Sequence, residues 1–350
     1  MLIDRLRAQI DAGGPMPFED FMAACLYDPE DGFFGSGPLR STKAGDFLTS
    51  PEVSPWFGRI IGRYVNATCP AGAVIEVGAG SGTLLRSLLA ELSSPPAEVI
   101  AVDASPASRA SVAAVDGVTL VAADLAEIAR PVKGTIVANE LLDNLPVAIA
   151  VRQGSGWEER WVGTGAEGLE LVAAPARPPV ANWADTFAGR VPDGGLVEVQ
   201  IAAGEWVHQA VSSLASGSLV VFDYGGTAEE LEPRRTLGTL RTYRNHHLGP
   251  DPLMEPGETD VTVDVNFTAM AAAAEEAGAT VVIQRQDDFL TEWGLRDEVR
   301  TLRRRERDLA QAGDTMARLQ LRSEATDAET LLHPRGLGDF RVLVARVDSG

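Results

Sequence analysis

The stretch Ala73-Val74-Ile75-Glu76-Val77-Gly78-Ala79-Gly80-Ser81-Gly82-Thr83 constrains this chain more than any other. An apolar strand that ends on an acid and runs into alternate glycines turns sharply and lets backbone approach a ligand that side chains would obstruct. A helix is expected to begin near Thr83. A dinucleotide turn follows G-x-G-x-x-G, with the pyrophosphate on the helix N-terminus; here the third glycine falls one position early and Thr83 takes its place. Glu76 puts a carboxylate at the end of the strand, which repels a pyrophosphate and suits a methionyl ammonium. Glu76 with Gly78, Gly80 and Gly82 therefore points to S-adenosylmethionine (SAM) rather than NAD, the plain alternative being a tight turn without a ligand.

Strand-like runs follow with helical spacers: Val74 to Gly78, Val99 to Ala104, Val118 to Ala122 and Thr135 to Asn139, then Ser218 to Tyr224, Ala279 to Gln284 and Phe340 to Val347. This alternation predicts an α/β fold with a seven-stranded, doubly wound sheet whose last two strands make a hairpin at its edge. Between Ala148 and Gly217 the pattern changes to scattered Gly, Pro and Trp among short alternating runs, Trp157 to Val162 and Leu169 to Ala173, expected to form an antiparallel insertion. Residues 295 to 330 read as charged helix, with Arg303 to Asp308 a solvated face paired at i,i+4.

A formal charge of -20 argues against a nucleic-acid partner, because such binding rests on clustered Lys and Arg. Cys25 and Cys69 lack C-x-x-C spacing and histidine companions, so neither a disulfide framework nor a metal site is expected, and a reducing cytoplasm is the expected compartment. The first residues, Met1 to Arg7, lack the apolar core of a signal peptide, and no stretch reaches transmembrane length, so no membrane insertion is expected.

In an open parallel sheet the ligand lies beyond the carboxyl ends of the strands, so acids at those ends are the candidates for chemistry. Asp103 ends the second strand at a spacing suited to accepting both ribose hydroxyls, unless it caps a helix. Asp124 follows the third strand, where it could take the adenine amino group, with Leu125 against the ring; capping the next helix is its alternative. The fourth strand ends in Asn139-Glu140-Leu141-Leu142-Asp143-Asn144-Leu145-Pro146. Two acids three apart beside the methyl group can clamp a guanidinium by paired hydrogen bonds, which makes arginine a suitable acceptor. The alternative is that Asp143 only caps a helix. Ser50-Pro51-Glu52 reads as N-cap, first helical residue and first-turn acid. Asp223-Tyr224-Gly225 ends the fifth strand on the ligand side, and His246 is a candidate proton acceptor or orienting group, with a surface histidine as its alternative.

Taken together, these motifs resemble the MidA-like family of SAM-dependent methyltransferases, whose mitochondrial branch methylates an arginine on a respiratory complex I subunit. The resemblance is carried by Leu26-Tyr27-Asp28-Pro29, Gly45-Asp46-Phe47 with Thr49-Ser50-Pro51-Glu52, the glycine turn with Glu76, Asn139 to Pro146, Asp223-Tyr224-Gly225, Gly238 to Tyr243, Asp260-Val261-Thr262 and Gly338 to Leu343. Departures from its pattern are Ala79 for proline, Ser81 for arginine, Phe33-Phe34 for tyrosines and Asn266 for an acid. The resemblance implies a Rossmann-like core over 71–147 and 218–350, an N-terminal helical segment over 1–70 that covers the cofactor, and the insertion at 148–217. It implies SAM held by Thr49, Glu52, Glu76, Gly78, Gly80, Gly82, Asp103, Asp124, Leu125 and Asn139, with Glu140, Asp143 and His246 as catalytic candidates. The acceptor is then an arginine of a protein, with a small-molecule acceptor or a SAM-binding assembly factor as the other readings.

Overall fold

The computed structural model describes residues 1–37, 39, 49–128, 131–166, 168–244 and 247–348. Strands β1 (Ala73–Val77), β2 (Val99–Val102), β3 (Leu120–Ala122), β4 (Val132–Asn139), β5 (Leu214–Asp223), β6 (Thr280–Arg285) and β7 (Arg341–Val347) form one sheet in the order β6-β7-β5-β4-β1-β2-β3. The pairings from β3 through β5 are parallel, while β7 runs antiparallel to both β5 and β6. The seven expected runs are the seven strands. The chain leaves β1 towards β2 and β3, then returns to place β4 on the other side of β1. Such a reversal opens a crevice at the carboxyl ends of these neighbours, where α/β sheets bind ligands.

Both faces of the sheet are covered, which is why its strands are apolar on successive residues rather than alternate ones. Val74, Val137, Val220 and Phe222 face one layer; Ile75, Ile136, Leu219 and Val221 face the other. The principal helix of the first layer is Trp56–Thr68. Apart from the single turn Ala228–Leu231, the helices among the described residues are, in chain order, α1 (Leu2–Gly13), α2 (Phe18–Tyr27), α3 (Ser50–Val53), α4 (Trp56–Thr68), α5 (Thr83–Leu89), α6 (Pro106–Val112), α7 (Pro178–Phe187), α8 (Ile201–Ser212), α9 (Phe267–Glu276), α10 (Gln286–Glu292), α11 (Leu295–Ala312) and α12 (Thr315–Thr330). In α4 the apolar residues Phe57, Ile60, Ile61, Tyr64 and Val65 recur at helical spacing and are buried against the sheet. Phe57 meets Phe222 edge-on with ring centres 4.9 Å apart, and the Tyr64 hydroxyl is 2.9 Å from that of Ser218. The opposite layer is α8 and α9, through Ala203, Val207, Phe267 and Met270.

The stretch after β4 forms a second, antiparallel sheet from Ala148–Gln153, Gly156–Thr164, Leu169–Pro175 and Leu196–Val199. The N-terminal pair Met16–Pro17 joins it opposite Val162 and Trp161. Helix α8, which lies inside the expected insertion, packs instead on the parallel sheet as the crossover into β5. The charged region 295–330 is two helices broken at Gly313, whose φ of 78° suits a glycine C-cap. Arg303 pairs there with Glu306 at i,i+3 and across the hairpin with Glu329, rather than at i,i+4. Thr49, not Ser50, is the N-cap of α3, and Ser50 Oγ accepts from Gln286 Nε2 at 3.2 Å.

Candidate active site

The glycine turn leaves β1 through Gly78 (φ 73°), Gly80 (φ 51°) and Gly82 (φ 77°), a left-handed series that other residues enter at a cost. Their duties differ. Gly78 and Gly80 line a cavity of about 430 Å³ at the crevice. Gly82 sits behind it as the N-cap of α5, where a Cβ would come within 2.8 Å of Val115. Asp103 Oδ2 accepts the Gly80 N–H at 2.8 Å, and its Oδ1 accepts the Ser105 N–H at 2.8 Å. Asp103 thus ties the turn to the end of β2 while it lines the cavity. Burial pushes its carboxyl up, against the pull of those N–H bonds.

Thr49, Glu52, Glu76, Asp124, Leu125, Asn139 and Glu140 line the same cavity. Glu52 accepts from the Ser81 hydroxyl at 2.6 Å, which fixes the turn from the N-terminal side. Asp124 does cap the short helical turn after β3, its Oδ1 accepting the Ala126 N–H at 2.7 Å, and it also borders the cavity beside buried Leu125. Tyr27, Phe34 and Trp206 complete the wall. Sequence reasoning missed Trp206, because only packing shows which face α8 turns to the crevice.

The donor set fits a cationic amino-acid end. Glu76 Oε2 and Asn139 Oδ1 are buried without a hydrogen-bond partner, two acceptors awaiting donors. Burial, then the charge of Asp103, pushes Glu76 well above the usual carboxylate range, so a bound ammonium is what would stabilise its charged form.

Past Glu140 and Asn144, which line both spaces, lies a second cavity of about 690 Å³. Its acids include Glu140, Asp143, Asp260, Asp264 and Asp339; its aromatic walls include Tyr224 and Phe340. Glu140 has φ 50°, the positive-φ non-glycine residue among the described residues, and such strain concentrates at functional turns. Its carboxylate accepts from Asn139 Nδ2 at 3.1 Å and from the Ser50 N–H at 3.4 Å. Burial, then Asp143, pushes it up to about 8. Asp143 is no helix cap: it is buried, and its Oδ2 accepts from the Tyr224 and Thr262 hydroxyls. Burial pushes its carboxyl up as well. Asp223 Oδ2 accepts the N–H groups of Leu141, Leu142 and Asp143 at 3.2, 2.9 and 3.3 Å and so shapes the turn that carries both acids. His246 and Gly45 to Leu48 lie outside the described residues.

Residues 57–284 match the model of a family described as S-adenosyl-L-methionine-dependent methyltransferase. The chain belongs to this family. Its cofactor is SAM, and its fold is the Rossmann-like α/β fold of such methyltransferases. It is 29% identical to a Burkholderia thailandensis protein whose crystal structure holds S-adenosyl-homocysteine (SAH), with a TM-score of 0.85 over 99% of this chain and 92% of that one. It is 26% identical to the mitochondrial protein arginine methyltransferase NDUFAF7 of Mus musculus over 97% of this chain and 82% of the mouse protein. The Homo sapiens counterpart is 25% identical, over 97% and 81%. These relatives are mitochondrial by name, which overturns the expected cytoplasmic location. No helix among the described residues is long and apolar enough to cross a membrane.

Proposed function

We propose that this methyltransferase acts on an arginine guanidinium of a protein. The observation that carries the reading is the pair of cavities joined at Glu140 and Asn144, one built for the cofactor and the other carrying Glu140 and Asp143 at its buried end; Arg234, Arg241 and Arg335 also line that second space, and its Asp264 and Asp339 are paired with arginines. The name of the curated relatives, protein arginine methyltransferase, supports it. Bound SAM would supply a sulfonium methyl carbon open to in-line attack by an acceptor lone pair, the N–C bond forming as the S–C bond breaks and SAH leaves. The chain's part is to align that lone pair, keep water out and take up the proton that the nitrogen loses. In this reading Glu76 and Asn139 hold the amino-acid end, with Thr49, Glu52, Gly78 and Gly80 around it. Asp103 takes the ribose, Asp124 and Leu125 the adenine. Residues 1–70 roof the cofactor through Tyr27 and Phe34. Glu140, at the junction, receives an N–H of the guanidinium and then its proton, and Asp143 lies deeper as a second acceptor.

The test is to incubate the purified protein with methyl-labelled SAM and cell extract, hydrolyse the proteins and identify the labelled product. Labelled methylarginine is the expected result; label confined to the small-molecule fraction would give the acceptor role to a metabolite.

A further inference from the structure

Asp143 is buried to 3% exposure, lines the second cavity, and divides its two oxygens unequally. The Tyr224 and Thr262 hydroxyls both donate to Oδ2, with Thr262 at 2.6 Å, whereas Oδ1 is buried and without a partner. A buried carboxylate oxygen left open is costly unless a donor completes it. The supports of Oδ2 are themselves held. The Tyr224 ring lies under the Arg241 guanidinium at 5.5 Å and edge-on to Phe340 at 5.5 Å, which fixes its rotamer. Arg241 is tied in turn to Asp264 at 2.5 Å. Thr262 closes a short strand, Asp260–Thr262, that pairs with Arg241–Arg244.

We infer that Tyr224 and Thr262 are positioning residues: they occupy Oδ2 of Asp143 and turn Oδ1 toward the acceptor, where it receives one N–H of the guanidinium. The division of labour explains why a site for a cation spends two neutral hydroxyls on one acid. Had both oxygens been open, the carboxylate could rotate between acceptor poses; with Oδ2 held by two hydroxyls that also contact each other, one orientation remains. The same arrangement discriminates by chemistry, because the acceptor must bring a donor to a buried oxygen and an apolar side chain of similar length would leave it unpaired.

This inference rests on the arginine reading, and the experiment separates the two. A synthetic peptide spanning the arginine methylated in extract serves as acceptor for the wild type and for Tyr224→Phe, Thr262→Val and Thr262→Ser. Tyr224→Phe and Thr262→Val should each raise the acceptor KM about tenfold, the scale of a hydrogen bond to a charged group, with kcat changed far less. Thr262→Ser, which keeps the hydroxyl, should restore the wild-type KM, and SAH affinity should stay unchanged throughout. If Tyr224→Phe does not fold, the Thr262 pair decides alone. An unchanged acceptor KM in Thr262→Val overturns the inference and leaves the arginine reading standing. Absence of any methylarginine with the wild type overturns the arginine reading, and the inference with it.

Discussion

At Glu140 a single carboxyl couples acidity to both stability and turnover. Burial and the neighbouring Asp143 raise it from an ordinary 4.5 to about 8. Over that window the folded chain keeps a proton that the unfolded chain has released, so the contribution of this group to stability falls as pH rises from about 4.5 to about 8. Denaturant titrations of the wild type and Glu140→Gln across that range should show the slope reduced in the variant. Activity has the opposite sign: the acceptor needs the ionised form, so kcat/KM for the acceptor should climb through about pH 8 and Glu140→Gln should lose both that limb and most of the transfer. At Gly78 a side chain meets two obstacles, a φ of 73° and Leu141 Cδ1 3.2 Å from the new Cβ. Gly78→Val should abolish SAM binding in a calorimetric titration. The glycine turn and the two acids three apart were legible in the sequence because each is local. The free oxygen of Asp143 was not, since the hydroxyls that create it come from 81 and 119 residues away.

Among the elements, the turn after β4 depends on its neighbour more than on itself. Its N–H groups at Leu141, Leu142 and Asp143 stand at the start of the single helical turn Leu142–Asn144, which cannot satisfy them, and the carboxylate of Asp223 at the end of β5 takes all three. Burial, then the nearby Asp143 and Glu140, pushes Asp223 up while those N–H bonds pull it down. Asp223→Ala should cost about 3 kcal/mol in chemical denaturation, because it leaves several buried donors without an acceptor. It should also impair methyl transfer more than SAH binding, since the disturbed turn carries the acceptor acids. The strands could be read from their apolar runs, and the helix at Thr83 from the glycines before it. Helix α8 could not be assigned to its sheet, because its apolar face would serve the antiparallel insertion equally well until packing is known. The break at Gly313 is a single residue inside a region whose charges are continuous.

For the molecule as a whole, the cavity beyond Glu140 brings five acids together with Arg234, Arg241 and Arg335. Its far wall comes from residues 330 to 340, the segment that links α12 to β7, and nothing in the local pattern of that segment marked it as a wall. Binding to the folded state alone should make thermal stability depend on ligand. At a hundredfold excess of SAH over its Kd the gain is about 2.7 kcal/mol, a rise of several degrees in a melting scan, and a further tenfold excess should raise it again. The N-terminal pair Met16–Pro17 lies along the long strand Gly156–Thr164 where the neighbouring strand Ala148–Gln153 has already ended. A strand left bare there would offer open N–H and C=O groups to any extended chain that passed. The first residues therefore also act as a guard rail: a protein trimmed ahead of α2 would expose a short sticky edge and be expected to self-associate before it lost its fold.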